Sequence, residues 1–162
     1  GTLEALRYAL STVPEITSVS ISENSPGVVN IIISTATGEV STDVLNKVEE
    51  IINKYRAAGI QVIVSSVTKI TADVSIRLGL SDLQNTTTIE TQIRNGVVNY
   101  LNTLQVGEDL IPNALMGFIF SFNLPQIKTV EILSPTTRLI ASPNTIIRPG
   151  VITVTTYLEG DL

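Results

Sequence analysis

The sequence predicts an α+β protein made of two small related lobes, α-β-β-α-β over residues 1–69 and β-α-α-β-β over residues 70–162. Three observations lead to this fold class. A helix–strand–strand segment occurs twice, stretches of helical period alternate with stretches of strand period, and Ile, Val and Thr are abundant. The core must be aliphatic, because aromatic residues make up only 4% of the chain and Trp is absent.

The repeated segment reads VPEITSVSI at residues 13–21 and LPQIKTVEI at residues 124–132, 111 positions later. Each copy is followed by Pro-Gly-Val, at residues 26–28 and 149–151, and these are 123 positions apart. The second copy therefore holds 12 more residues between its strands. We expect equivalent strands, each preceded by a packed helix. The alternation predicts four buried side chains: Val19, Ile21, Val130 and Ile132.

In the first lobe, leucines at helical spacing predict a helix closed by Pro14. Strands follow at residues 16–22 and 28–35, and the near-continuous apolar run of the second predicts burial on both faces. Ser41 or Thr42 caps the next helix, and Gly59 ends it in a left-handed conformation. The buried stripe of that helix is Val44, Val48, Ile51, Ile52 and Tyr55. A strand at 60–67 completes the lobe.

The second lobe begins at residues 68–70 with a strand that runs to Leu80. Thr87 and Glu90 have the spacing of a capping box, Gly107 is expected to end that helix, and Pro112 suits the first turn of the next. The core-facing positions of the two helices are Ile89, Ile93, Val97, Leu101, Leu104, Leu115, Phe118, Ile119 and Phe122. Strands are predicted at 127–133 and 151–158. The segment between them is either a contact arm or a short extra strand.

Composition restricts the chemistry. With no Cys and no His, Cys nucleophiles and Ser-His-Asp triads are excluded, and zinc, haem, iron–sulfur and copper sites lack their usual ligands. The net charge of −5, with 10 scattered Lys and Arg, argues against nucleic-acid binding, and no apolar run is long enough for a membrane span. The 15% charged residues fit a surface covered by other subunits or simply an uncharged soluble surface. The start at Gly1 suggests a fragment of a longer polypeptide.

No set of side chains predicts a catalytic, cofactor-binding or metal site. Glu49 and Glu50 are expected on a solvated helix face, Glu108 and Asp109 beside a helix dipole, and Asp73 in a cross-strand ion pair near Ser75 and Arg77. Two arginines flank the long loop and offer contacts to an acidic partner surface. Three tyrosines at helical positions are expected in the core. The arginines are Arg138 and Arg148, and the tyrosines are Tyr8, Tyr55 and Tyr100.

Two stretches resemble a known family. One is RAAGIQVIV at residues 56–64, with a following strand that ends VSIRL at 74–78. The other is YLNTLQVGEDLIPNAL at 100–115, followed by PQIKTV at 125–130. Their order resembles the C-terminal half of the baseplate J-like family of phage tails and contractile injection systems. The helix–Gly107–helix–Pro125 section carries most of this resemblance, and Gln126 stands where the family usually has glycine.

The resemblance implies a structural subunit of a tail baseplate that acts by protein–protein assembly without catalysis or cofactors. Its partners would be other baseplate or tail subunits in a ring, in a virion or in a prophage or injection particle assembled in the bacterial cytoplasm. Two alternatives remain open. A small-molecule-binding regulatory α+β module would need a polar cleft, and a carboxylate-based hydrolase would need two facing acids.

Overall fold

The computed structural model describes residues 2–57 and 59–160, which form four helices and six strands. In chain order the elements are α1 (Thr2–Ser11), β1 (Ile16–Ser25), β2 (Val28–Thr35), α2 (Thr42–Arg56), β3 (Gln61–Ser66), β4 (Thr68–Leu80), α3 (Thr86–Asn102), α4 (Pro112–Phe120), β5 (Ile127–Ser134) and β6 (Thr145–Leu158). The predicted α+β class and the predicted order of helices and strands are confirmed.

The chain divides into two compact units. The first contains the chain up to Lys69 together with Gln105–Gly107 and Ser142–Ile146. The second contains Ile70–Leu104, Glu108–Ala141 and the chain from Ile147 onward. The predicted division at residues 68–70 placed Gln105–Gly107 and Ser142–Ile146 in the second lobe. In the structure these two segments belong to the first unit.

The first unit is a three-stranded sheet in the order β1-β2-β3. β1 and β2 form an antiparallel hairpin, and α2 carries the chain across to β3, which runs parallel to β2. Helices α1 and α2 cover one face of the sheet, since their apolar side chains cluster with those of the strands. The buried members of this core are Leu6, Leu10, Val13, Val29, Ile31, Ile33, Val44, Val48, Ile52 and Val62.

Only one face of β2 is fully covered, which corrects the prediction of burial on both faces. Val29, Ile31 and Ile33 are buried, whereas Asn30 and Ile32 are half-buried on the opposite side. Those two residues lie across from Ser22 and Ser20 of β1, which are themselves exposed. The apolar run of β2 therefore predicted more burial than the structure has, because the sequence does not show what packs against each face of the strand.

The ends of α2 follow the predicted local chemistry. Ser41 is the N-cap, and its hydroxyl accepts a hydrogen bond of 3.3 Å from the Val44 N–H. At the other end Gly59 has a φ of +86°, the left-handed conformation expected there. Val44, Val48 and Ile52 are buried as predicted.

The second unit is a three-stranded sheet in the order β5-β4-β6. β5 runs antiparallel to β4. β6 runs parallel to β4, because hydrogen bonds connect Asp73 to Val151 near their starts and Leu80 to Glu159 near their ends. Helices α3 and α4 cover one face, and the predicted stripe of α3 is buried there with Leu115 and Ile119 of α4. Phe118 and Phe122 pack at the margin of this core.

Three local predictions for this unit are wrong. Thr87 was predicted as the N-cap of α3, but the N-cap is Asn85. Asn85 has a left-handed conformation, and its side chain makes no capping hydrogen bond. The Glu90 carboxylate accepts a hydrogen bond from Thr156 of β6, 2.8 Å away, so the strand contact replaces the capping box. α3 ends at Asn102, and Gly107 lies in the following loop with a φ of +77°. Glu90 and Gly107 make long-range contacts instead, since the Gly107 N–H donates to the Thr145 carbonyl at 2.8 Å.

The repeat holds in element order but not in strand pairing. α1-β1-β2 and α4-β5-β6 share the order, yet β1 pairs with β2 whereas β4 separates β5 from β6. Gly27 forms the turn between β1 and β2, whereas Gly150 lies inside β6. Of the four side chains predicted to be buried, Val130 is buried. The other three, Val19, Ile21 and Ile132, are partly buried and pack against their cores.

The long loop is shorter than predicted, because β6 begins at Thr145 and buries Ile146 and Ile147. The remaining connection, residues 135–144, is called the arm below. Of the two alternatives for this segment, the extra strand is present only as a single antiparallel bridge between Leu110 and Leu139. The two backbone hydrogen bonds of this bridge, 3.0 and 2.9 Å long, fix the arm near the start of α4.

Two helical glycines give a matched test of packing in the second unit. A Cβ on Gly96 of α3 would overlap the ring of Phe122, whereas a Cβ on Gly117 of α4 would meet open space. We expect Gly96→Ala to destabilise the protein by about 1–3 kcal/mol through overpacking. We expect Gly117→Ala to stabilise it by about 0.5–1 kcal/mol, because alanine has the higher helix propensity. Urea denaturation of both variants measures the difference, and equal shifts of the same sign would contradict this packing.

In the part of the chain that the structure describes, no helix combines the length and apolar character needed to cross a membrane.

Candidate interaction surfaces

Two of the acidic residues noted in the sequence, Glu49 and Asp73, make local structural contacts. Glu49 pairs with Arg56 on the exposed surface of α2, at 2.6 Å. Asp73 accepts a hydrogen bond of 2.8 Å from the Val151 N–H and therefore joins β4 to β6. The predicted cross-strand ion pair exists but is made by Arg77 and Glu131, 2.7 Å apart.

Asp109 fixes the arm, a contact that its predicted place beside a helix dipole did not include. One carboxylate oxygen accepts a hydrogen bond of 2.8 Å from the Ala141 N–H, and the other lies 3.5 Å from the Arg138 guanidinium. Together with the Leu110–Leu139 bridge, this contact holds the arm at both sides of Ile140. The arm is therefore an ordered support that presents Ile140, whose surface is 68% exposed.

Arg148 is not a surface residue, which corrects its predicted role as a contact for an acidic partner. It is only 7% exposed, and Nη1 of its guanidinium donates to the carbonyls of Leu101, Leu104 and Ile147 at 3.2, 2.9 and 2.8 Å. The Leu101 carbonyl lies in the last turn of α3 and the Leu104 carbonyl just beyond the helix, where no further turn supplies donors four residues on. Burial lowers the pKa of this guanidinium, which nevertheless stays charged at neutral pH.

The tyrosines differ in environment. Tyr100 packs against Phe118 with ring centroids 4.8 Å apart, and burial, with a smaller contribution from Glu108, raises the pKa of its hydroxyl. Tyr55 is half-buried against the core of the first unit. Tyr8 is 73% exposed on α1, so its predicted place in the core is wrong. Leu6 and Leu10 occupy the buried side of that helix instead.

The second unit leaves one face of its sheet uncovered, and this surface is called the open face. Its residues are those that alternate with the core-facing side chains of β4 and β6, together with their neighbours on β5: Asp73, Ser75, Arg77, Gly79, Thr129, Glu131, Val151, Thr153, Thr155 and Tyr157. At the end of this face near the start of β6, a shallow hollow of about 270 Å³ is lined by Asp73, Val74, Ser75, Ser134, Val151 and Thr153. Val151 is 68% exposed beside it.

A connected set of polar side chains covers the other end of the open face. The Arg77 guanidinium carbon lies 5.3 Å from the centre of the Tyr157 ring, in addition to its ion pair with Glu131. The Tyr157 hydroxyl and the Thr129 hydroxyl are 2.9 Å apart, and the latter donates to Glu159 over 3.1 Å. These contacts join all three strands, so the side chains of this region are held in place before any partner arrives.

Gly79 makes that arrangement possible. It lies on the central strand directly under the cluster of Thr129, Tyr157 and Glu159, and a Cβ at this position would overlap all three side chains. A glycine inside a strand weakens the sheet unless another group covers it, and here the tyrosine of the neighbouring strand does so.

A second hollow, also of about 270 Å³, lies where α4 ends and β5 begins, and it is called the α4–β5 hollow. It is lined by Ile119, Phe120, Asn123, Leu124, Pro125 and Ile127. Five of these six side chains are apolar, and Phe120 is 46% exposed at its margin. Next to Pro125, Gln126 donates hydrogen bonds to the Asp82 carboxylate and to the carbonyls of Asp82 and Gln84, so the 82–84 loop forms a fixed edge.

The first unit has a shallow depression at the N-terminus of α2, of about 350 Å³. Its charged residues are Glu15 and Glu39, and each lies near a lysine: Lys47 at 2.8 Å and Lys69 at 3.9 Å. The hydrogen bond from Lys47 lowers the pKa of Glu15 and raises that of the lysine. Within the described ranges no group of three or more acidic side chains is arranged to hold a metal ion.

The open face and the α4–β5 hollow were not predicted from the sequence. The alternation of Asp73, Ser75 and Arg77 with apolar residues did show that one side of β4 is polar. The neighbouring strands could not be inferred, because the order β5-β4-β6 places β4 between two strands that follow each other in the chain.

Comparison with protein-family models and with curated proteins finds no match to this chain.

Proposed function

We propose that this chain is a structural module of a phage tail or phage-tail-like baseplate and acts by assembling with neighbouring subunits, without catalysis. The observation that carries the proposal is the open face. A small sheet covered by helices on one side exposes a pre-ordered polar network and an apolar edge at Val151 on the other. A surface of this kind suits a protein partner, because an apolar contact residue lies beside polar groups that are already positioned.

The elements that carry the family resemblance also support the proposal. α3, a loop containing Gly107, α4 and then β5 follow one another as the resemblance implies. Pro125 stands two residues before β5, where the family has its proline or glycine. The partners would be other baseplate or tail subunits in a ring, and the site of action would be a virion tail or an injection particle.

The proposal predicts that the chain is a component of particles and that the open face is needed for its incorporation. The test uses the bacterium that encodes the chain. Val151→Lys places a charge at the exposed edge of the open face, and we expect particles with incomplete baseplates in electron micrographs. Because the Val151 side chain is exposed, the purified variant should keep its stability within about 0.5 kcal/mol.

Ser22→Lys is the matched control, since Ser22 is exposed on a strand of the first unit. We expect complete baseplates with this variant. Mass spectrometry of purified tail particles that finds no trace of the chain would refute the proposal. So would turnover of a substrate by the purified chain that disappears when Asp73 is replaced by Asn.

A further inference from the structure

The arm and the α4–β5 hollow have complementary properties. The arm exposes Ile140, an aliphatic side chain held from both sides by hydrogen bonds at Leu139 and Ala141. The hollow is apolar, and its volume of about 270 Å³ exceeds that of one aliphatic side chain. Exposed aliphatic residues and open apolar hollows both gain stability when they are removed from water together.

The charges next to these two features are also complementary. Arg138, two residues before Ile140, has a side chain that is 59% exposed. Asp82 is exposed on the loop that Gln126 fixes beside the hollow. An incoming arm would therefore bring a guanidinium toward a carboxylate while its isoleucine enters the hollow. Opposite charges at the margin of an apolar contact favour one orientation of binding over others.

One copy of the chain cannot make this contact with itself. The Leu110–Leu139 bridge places the arm just before the N-terminus of α4, whereas the hollow begins at Ile119, near its C-terminus. A helix of nine residues is about 13 Å long, which separates the two features. The arm of one copy can reach only the hollow of another.

We propose that Ile140 of one copy inserts into the α4–β5 hollow of a second copy, with Arg138 facing Asp82. The two surfaces differ, so the contact is head-to-tail, and repeated copies form a closed ring or an open filament according to the rotation between neighbours. The inference deepens the proposed assembly function by naming a second copy of the chain as one neighbour and the residues that join it.

The natural absence of cysteine allows a direct test with the purified chain. Ile140→Cys and Asn123→Cys are prepared separately, since Asn123 lines the hollow, and the two proteins are mixed in equal amounts and oxidised. Random collision gives the mixed disulfide dimer twice as often as either like dimer. Because the contact raises the local concentration of one thiol near the other, we expect a mixed-to-like ratio about ten times higher.

Ile140→Cys mixed with Ser20→Cys is the control, because Ser20 is exposed on β1 of the first unit, and it should give the random ratio. Adding Arg138→Glu to the 140 variant should lower the excess of mixed dimer, and adding Asp82→Lys to the 123 variant should restore it. A random ratio for the 140/123 mixture, with both proteins folded by circular dichroism, would overturn the contact. It would leave the baseplate assignment standing, since that assignment depends on the presence of the chain in particles.

Discussion

Arg148→Met is expected to destabilise the second unit by about 3–5 kcal/mol, because it removes a buried donor from several carbonyls. Methionine retains much of the length and apolar volume of the arginine stem but removes every donor. The carbonyls of Leu101, Leu104 and Ile147 would then lose the guanidinium that lies within 3.2 Å of each. A buried acceptor left without its partner costs about 1–3 kcal/mol, although the Leu101 carbonyl still accepts a hydrogen bond of 3.3 Å from the Leu104 N–H.

The measurement is urea denaturation followed by far-UV circular dichroism, with amide hydrogen exchange at the end of α3 as the local probe. Arg138→Met is the matched control, because Arg138 makes an exposed ion pair with Asp109 at 3.5 Å. Exposed pairs contribute at most about 1 kcal/mol, so the control should change stability little. If the two variants lose equal stability, the guanidinium of Arg148 does not satisfy these carbonyls.

Arg148→Lys separates charge from geometry. A lysine keeps the positive charge but has a compact ammonium in place of the planar guanidinium. We expect an intermediate loss of stability, since one ammonium with three donors still reaches some of the carbonyls.

The fold could be predicted from sequence wherever one element determines its own pattern. The buried stripe of α3 from Ile89 to Leu101, the cap at Ser41 and the proline at the start of α4 depend on periodicity and local backbone chemistry. All three appear in the structure. The stretch 28–35 also matches β2 residue for residue. These features need no knowledge of the neighbouring element.

Predictions that depended on a neighbour were less accurate. Thr87 and Glu90 have capping-box spacing, but Thr156 of β6 offers Glu90 a hydrogen bond instead. The order of β5, β4 and β6 in the sheet is set by long-range pairing, which the repeated segment did not reveal. Tyr8 occupies an exposed position on α1 that the helical period alone could have indicated, since Leu6 and Leu10 define the opposite side.

The candidate surfaces follow the same rule. Arg138 and Arg148 looked equivalent as two arginines flanking a loop, yet one is exposed and the other supports the end of a helix. Their difference arises because β6 starts at Thr145 and takes Arg148 into the sheet. The arm depends on the long-range pairing of Leu139 with Leu110, and the edge of the α4–β5 hollow depends on the hydrogen bond from Gln126 to Asp82. The sequence does not show either contact.

Leu101→Ala is expected to destabilise the protein by about 2–5 kcal/mol. Leu101 is fully buried, on the same side of α3 as Ile93 and Val97. Truncation removes three carbon atoms from contact with the core and leaves a cavity that the surrounding side chains fill only in part. The backbone carbonyl of residue 101 remains, so the hydrogen bond from Arg148 is preserved and the loss reports packing alone.

Glu49→Ala is the control for this change. Glu49 lies on the exposed side of α2 and pairs with Arg56, and its removal should cost about 0.5 kcal/mol or less. Because the two units have separate cores, each could unfold in its own transition, and the denaturation curve alone would not show which unit a substitution affects. Amide hydrogen exchange in β4 and β2 assigns the effect: Leu101→Ala should speed exchange in β4 much more than in β2. Equal denaturation midpoints for the two variants, or faster exchange in β2 alone, would show that Leu101 does not face the core of the second unit.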